Sequence, residues 1–240
     1  MSSFYSALSE PRWERVADNC DMHELDGKSV PSIDNWTFAN SPQLKKIVLP
    51  SMLSELGYKV FENSNNIDEI SFPNGEEKSQ GGRYRIADGY LYDAFGKRVL
   101  KVFSDSESIE IPDGVKYLDR LCFAGRKNLK KVSLPSSVKS MEVPFAECDS
   151  ISEIVVSDDN ELYAVKDNCL YEKVHGILER GVSSEKEFTV PDFIKEIRAG
   201  VFPSCVEKIN IPDSVKKNQC QCGRKPSLEE ADKQMAEMEP

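Results

Sequence analysis

Apolar and polar positions recur along this chain in one phrase: an apolar residue, two polar ones, then apolar, any residue, apolar, and proline. It reads LKKIVLP from Leu44 to Pro50 and IDEISFP from Ile67 to Pro73, and returns as LKKVSLP (Leu129 to Pro135), ISEIVVS (Ile151 to Ser157) and VEKINIP (Val206 to Pro212). Shorter forms, IEIP and FTVP, end at Pro112 and Pro191. Alternation with period two predicts short strands with one apolar face, stopped by a proline that lacks an amide donor. The strand centres fall at Ile47, Ile70, Ile109, Val132, Ile154, Phe188 and Ile209, separated by 23, 39, 23, 22, 34 and 21 residues. That is a unit of 22 to 23 residues interrupted by two insertions.

The text between the strands repeats as well. Two apolar residues three apart are followed by a phenylalanine: Leu53, Leu56, Phe61; Val115, Leu118, Phe123; Val138, Met141, Phe145; Ile194, Ile197, Phe202. Val30, Ile33 and Phe38 give the same signature upstream. Three positions past the phenylalanine stands a small residue (Ser41, Ser64, Cys148, Cys205), with Arg126 as the exception. One such unit cannot bury its own apolar side, whereas stacked units share a continuous core with strands in parallel and phenylalanines in a column. The periodicity therefore predicts a repeat solenoid.

The stretches FAGRKNLKKVSLPSSVKSM and FPSCVEKINIPDSVKK resemble the BspA-type leucine-rich repeats, whose unit runs from phenylalanine through a small residue, glycine and cysteine to the strand, proline and DSV. The resemblance covers roughly residues 30 to 216. It implies a leucine-rich repeat solenoid with a parallel β-sheet on the concave face, and an association with microbial surface adhesion and binding of host proteins. Arg126 in place of the cysteine and Ser157 in place of a proline depart from the pattern.

The two insertions are related to each other. Tyr84 to Pro112 and Tyr163 to Pro191 have equal length and align without a gap. Each reads as a β-hairpin, YLYD with VLKV and CLYE with ILER, turning at Gly96 or Gly176. The organisation expected is an N-terminal helical cap over residues 1–29, a solenoid over 30–217 with hairpins at about 76–106 and 159–186, and an acidic tail or short helix over 218–240. Ser9, Glu10 and Pro11 start the predicted cap helix. Ser227 and Glu230 stand in capping-box spacing near the other end.

Composition then removes function classes. A net charge of −10 over 240 residues opposes binding to nucleic acid or anionic lipid, and no apolar run approaches the roughly 20 residues of a membrane-spanning helix. The N-terminus has no basic start followed by an apolar block. Seven cysteines at irregular spacing suggest a reducing compartment rather than a disulfide framework. The reading expects a cytoplasmic location, with a surface or exported one implied by the resemblance. Cys220 and Cys222 lack the second pair that a structural zinc needs, and neither His23 nor His175 lies near them. No nucleophile elbow, HExxH helix or phosphate-cradling loop is present. No catalytic residue, metal or cofactor is expected.

What remains is a row of outward side chains along the strands: Lys45, Lys46, Asp68, Glu69, Glu107, Glu110, Lys130, Lys131, Glu153, Lys186, Glu187, Glu207 and Lys208. Mixed charge favours a protein partner over a uniform polyanion. The hairpins are expected to project Tyr90, Tyr92 and Tyr171 as a second contact surface. The reading is a non-enzymatic protein-binding module, adaptor or assembly subunit, of unassigned oligomeric state. A microbial adhesin or delivered effector, and a hydrolytic enzyme, stay open as alternatives.

Overall fold

A computed structural model describes residues 22–24 and 32–218 of the protein. Every predicted strand centre lies in a strand of a stacked β-solenoid. Met22–Glu24, Lys46–Val48 and Glu69–Ser71 pair in parallel. Ser108–Glu110, Lys131–Leu134 and Glu153–Val156 form a second parallel set, and Glu187–Thr189 with Lys208–Asn210 a third. Register keeps the apolar centres superposed, Ile47 on Ile70, Ile109 on Val132 on Ile154, and Phe188 on Ile209. All but Ile209 are buried. The parallel sheet of the concave face is thus three short ladders, broken where the insertions enter.

A second ladder runs along the other side of each coil. The apolar pairs three residues apart place their second member in two-residue parallel strands: Ser32–Ile33 beside Glu55–Leu56, Tyr117–Leu118 beside Ser140–Met141, and Glu196–Ile197 beside Lys217–Asn218. Between the ladders, each turn carries its phenylalanine inward. Phe38 stacks on Phe61 at 5.9 Å and Phe123 packs on Phe145 at 5.0 Å. The small residue three positions on ties one turn to the previous one: Ser64 Oγ donates to the Phe38 carbonyl and Cys148 Sγ to that of Phe123. The residue two before the phenylalanine takes a left-handed backbone in each turn: Trp36, Lys59, Leu121, Val143 and Gly200. Only glycine adopts it without cost, so the packing of the turn imposes it on the others.

Each insertion is a three-stranded antiparallel meander that continues the second ladder. Tyr84–Ala87, Tyr90–Asp93 and Arg98–Val102 join Tyr117–Leu118 in parallel; Tyr163–Lys166, Cys169–Glu172 and Ile177–Gly181 join Glu196–Ile197. The predicted hairpin strands are those observed. The first strand of each meander adds to them and ends the sheet toward the preceding coil. There a tyrosine hydroxyl stands in for the missing strand, accepting the Leu56 amide at 2.7 Å (Tyr84) or the Met141 amide at 3.1 Å (Tyr163).

Two expectations change. The meander's middle strand is covered on both faces, so Tyr90 and Tyr92 are not projected: they are 5% and 3% exposed and stack on each other at 5.4 Å. Tyr171 is half-buried against Phe193, 4.8 Å away. Within the span assigned to a helical cap, Met22–Glu24 is instead a strand of the solenoid. The helix start at Ser9 to Pro11 and the tail over 219–240 lie outside the described residues.

Candidate functional site

The outward row of the strands is an ion-pair ladder. Residues a repeat apart in sequence stand side by side once the coils stack, so opposite charges at equivalent positions meet. Lys46 pairs with Glu69 at 3.0 Å, Lys130 with Glu107 at 2.8 Å, and Lys131 with Glu153 at 2.7 Å. Lys186 pairs with Glu207 at 2.7 Å and Lys208 with Glu187 at 2.6 Å. Asp68 lies 3.9 Å from Arg126. Hydrogen bonds from Lys208 and Asn210 hold the Glu187 carboxyl below its usual range. Among the predicted row, Lys45 and Glu110 are exposed and make no ion pair with another described residue. The strand residue Val155, in the same register row as Glu110 and one strand beyond Ser133, is 41% exposed. The lysine–glutamate pairs lie within each short ladder, and the Asp68–Arg126 contact alone among those named spans an insertion.

A different site forms where the first insertion removes a phenylalanine turn from its coil. The turns on either side then face each other across the empty place. Arg126 bridges it at depth, donating from Nη2 to the Asn65 carbonyl at 2.7 Å. Gly125 touches the same point, where a Cβ would stand 2.4 Å from Asn65 Cβ. Further out the turns stay apart and leave a cleft of about 500 Å³ lined by residues 56–62, Tyr84, Asp93, Arg98, Leu100, Lys101, Asp119, Arg120, Leu121 and Glu142.

Charge in this cleft is unevenly satisfied. Arg98 pairs with Asp119 at 2.7 Å, and Arg120 with Glu142 at 3.0 Å and Glu62 at 3.7 Å. Lys59 lies 3.5 Å from Glu62. Asp93 accepts the Lys97 and Arg98 amides at 2.7 and 3.1 Å. Lys101 is 1% exposed and its Nζ has no hydrogen-bond partner; Arg120 Nε is likewise buried without one. Burial pushes the Lys101 ammonium down to about 8, with Arg126 adding to the shift and Cys122, Cys148 and Glu147 opposing it.

At the second insertion the aligned side chains reach partners. Glu179, aligned with Leu100, pairs with Arg198 at 2.9 Å and accepts the Val143 amide. Arg180, aligned with Lys101, donates from Nη2 to the Cys148 carbonyl at 2.9 Å. Burial pushes the Glu179 carboxyl up to about 7 despite the attraction of Arg198. Neither site emerges from motif reading. The signal for both is in the gapless alignment of the insertions, which sets a cation in the same strand position of each, where a buried strand is normally apolar.

The three buried thiols among the described residues are not poised for chemistry. Burial raises Cys122, lifts Cys148 to about 11 and Cys169 to about 12, all far from the thiolate a nucleophile requires. No group of three histidine, cysteine or carboxylate side chains that could hold a metal occurs among the described residues.

A family model described as a BspA type leucine-rich repeat region matches residues 17–83, 95–177 and 180–231 in 6 copies. Among solved structures, the chain is similar to a leucine-rich cell surface protein from Faecalibacterium prausnitzii A2-165, with a TM-score of 0.52 at 21% identity over 85% of this chain and 54% of that one. It is also similar to a leucine-rich repeat protein from Eubacterium ventriosum ATCC 27560 (TM-score 0.44, 16% identity, 91% of this chain and 54% of that one). A third likeness is to the pneumococcal vaccine antigen PcpA (TM-score 0.41, 18% identity, 82% and 46%). The chain spans about half the length of these structures. No curated protein matches it.

Proposed function

This chain belongs to the BspA-type leucine-rich repeat family, and on that premise we propose that it is a non-enzymatic protein-binding module, an adaptor or a subunit of a larger assembly. The observation that carries the reading is the ion-pair ladder, which presents alternating charge on strands whose backbone groups are already hydrogen-bonded to neighbouring coils. Each exposed pair contributes little to stability, about 0 to 1 kcal/mol. It does fix where each charge stands, and a partner of complementary pattern gains orientation and encounter rate from that. The face is centred on the Ser108–Glu110, Lys131–Leu134 and Glu153–Val156 ladder, where Glu110 and Val155 lie open among the pairs. Raised thiol pKa values disfavour the alternative of a cysteine hydrolase.

The test exploits the pairing. Exchanging Glu107→Lys with Lys130→Glu, and Lys131→Glu with Glu153→Lys, keeps both inter-coil pairs and reverses the pattern a partner meets. Affinity purification from native cell extract is expected to return a stoichiometric protein with the parent chain and to lose it with the exchanged one. Equal capture by both, or hydrolysis of a generic ester or glycoside by the purified protein, overturns the reading.

Location has two supported readings. The Faecalibacterium relative is described as a cell surface protein, and no helix among the described residues is long and apolar enough to cross a membrane. Against a surface location, Cys122, Cys148, Cys169 and Cys205 are unpaired, which fits a reducing compartment. Surface proteolysis of intact cells, with a cytoplasmic protein as control, separates the two.

A further inference from the structure

The cleft at the first insertion differs from the ladder in one respect: a fully buried lysine, Lys101, belongs to its lining with no hydrogen-bond partner for its ammonium. Lys101 Nζ and Arg120 Nε both belong to residues that line it, and neither has a hydrogen-bond partner. No acid answers Lys101, and those near Arg120 answer it incompletely. Glu62 stands between Lys59 and Arg120, 3.7 Å from Arg120 Nε and too far for a hydrogen bond, and Glu142 bonds the Nη1 of Arg120. Asp119 bonds Arg98, and Asp93 takes two backbone amides. An uncompensated buried cation is costly, and its counterpart Arg180 at the second insertion has a carbonyl where Lys101 has none. The rest of the lining is apolar or aromatic, chiefly Leu56, Tyr58, Phe61, Leu100 and Leu121. A concave, mostly apolar site with a few converging polar groups is what small-ligand pockets have in common, and a volume of about 500 Å³ lies within their range.

We propose that this cleft is a binding site for a small organic carboxylate, whose carboxylate accepts from Lys101 and Arg120 and whose apolar body lies against Leu56, Tyr58 and Leu121. The acids of the lining are each engaged by a cation or by backbone amides, whereas the Lys101 ammonium has no acceptor, and that asymmetry favours an anionic ligand. The apolar lining excludes a bare inorganic anion, which would leave it wet. The site is independent of the protein-binding face and survives if that face proves inert.

Benzoate tests it, with benzamide as the neutral isostere and inorganic phosphate as the bare anion. Calorimetric titration of the whole chain, with amide chemical shifts read in parallel, is expected to give saturable benzoate binding that shifts residues 56–62 and 119–121. Benzamide and phosphate are expected to bind at least tenfold more weakly. Lys101→Met, close in volume and uncharged, is expected to weaken benzoate at least tenfold. Tyr58→Ala, at a side chain 58% exposed, is expected to weaken it severalfold without a folding penalty, so the site remains testable if the Lys101 variant misfolds. Unchanged affinity in either folded variant, equal binding of benzamide or phosphate, shifts confined elsewhere, or no saturable binding because solvent alone satisfies the donors, overturns the proposal.

Discussion

The two insertions are the same piece of chain solved twice, and they end differently. Both are meanders of one length, both join the second ladder, and both plug its open edge with a tyrosine hydroxyl. At three aligned positions the side chains diverge: Leu100 against Glu179, Lys101 against Arg180, Asp119 against Arg198. The second set forms an ion pair on the buried Glu179 and a guanidinium to carbonyl bond, with Arg180 Nε and Nη1 left without partners. The first forms a half-exposed pair, strands a lysine and leaves a cleft. Backbone architecture is set by hydrogen bonding and apolar register, while the side chain at the shared cation position decides which acceptors it can reach.

The sharpest way to break the contrast is to unpair the second site. Arg198→Met leaves the Glu179 carboxyl buried without its cation and is expected to cost about 1.5 to 3 kcal/mol in urea unfolding at pH 8. The loss should shrink at pH 5, where Glu179 takes a proton. The aligned change Asp119→Asn removes a partner from a half-exposed pair and should cost under about 1 kcal/mol.

Acidity should move the two sites in opposite directions. Lys101 titrates near 8 folded against 10.5 unfolded, so between those values the unfolded chain holds a proton that the folded one has released. Its contribution is full above 10.5 and lost as pH falls through 8, a change of roughly 3 kcal/mol. Glu179 titrates near 7 folded against 4.5 unfolded, so its contribution is full below 4.5 and lost as pH rises through 7. Stability measured across pH should show both slopes; Lys101→Met should remove the alkaline one and Glu179→Gln the acidic one. A profile unchanged by either substitution contradicts the assignment.

Smaller effects test what the insertions share. Tyr84→Phe and Tyr163→Phe each orphan one backbone amide and should cost about 1 kcal/mol. Tyr163 should cost more, because its hydrogen bond to Met141 is buried whereas that of Tyr84 is only partly so. Smallest of all, Lys131→Ala on the ladder should change stability by less than about 1 kcal/mol, and by less still in high salt.

Much of this architecture was legible in one dimension. Isoleucine or valine between polar neighbours, closed by proline, marked the strands, and the phenylalanine marked the turn beneath them. The second ladder is not legible there, because two-residue strands such as Tyr117–Leu118 are too short to display a period. Tyr84–Ala87 and Tyr163–Lys166 lie outside the predicted hairpin strands, although Tyr84 and Ile86, like Tyr163 and Val165, alternate as strand residues do. Tyr90 and Tyr92 were expected outside because hairpins are usually open on one face; here Leu91 is buried as well.

The sequence by itself determined the unit, its length, the number of turns of text that repeat, and the class of fold that such a unit must join to bury its apolar side. It could not decide who neighbours whom. Lys131 and Glu153 are 22 residues apart in the chain and 2.7 Å apart in space, and only stacking converts the one into the other. The unpaired state of Lys101 is likewise a property of the gap around it, since burial and the reach of every possible partner are fixed only when the coils on both sides are in place.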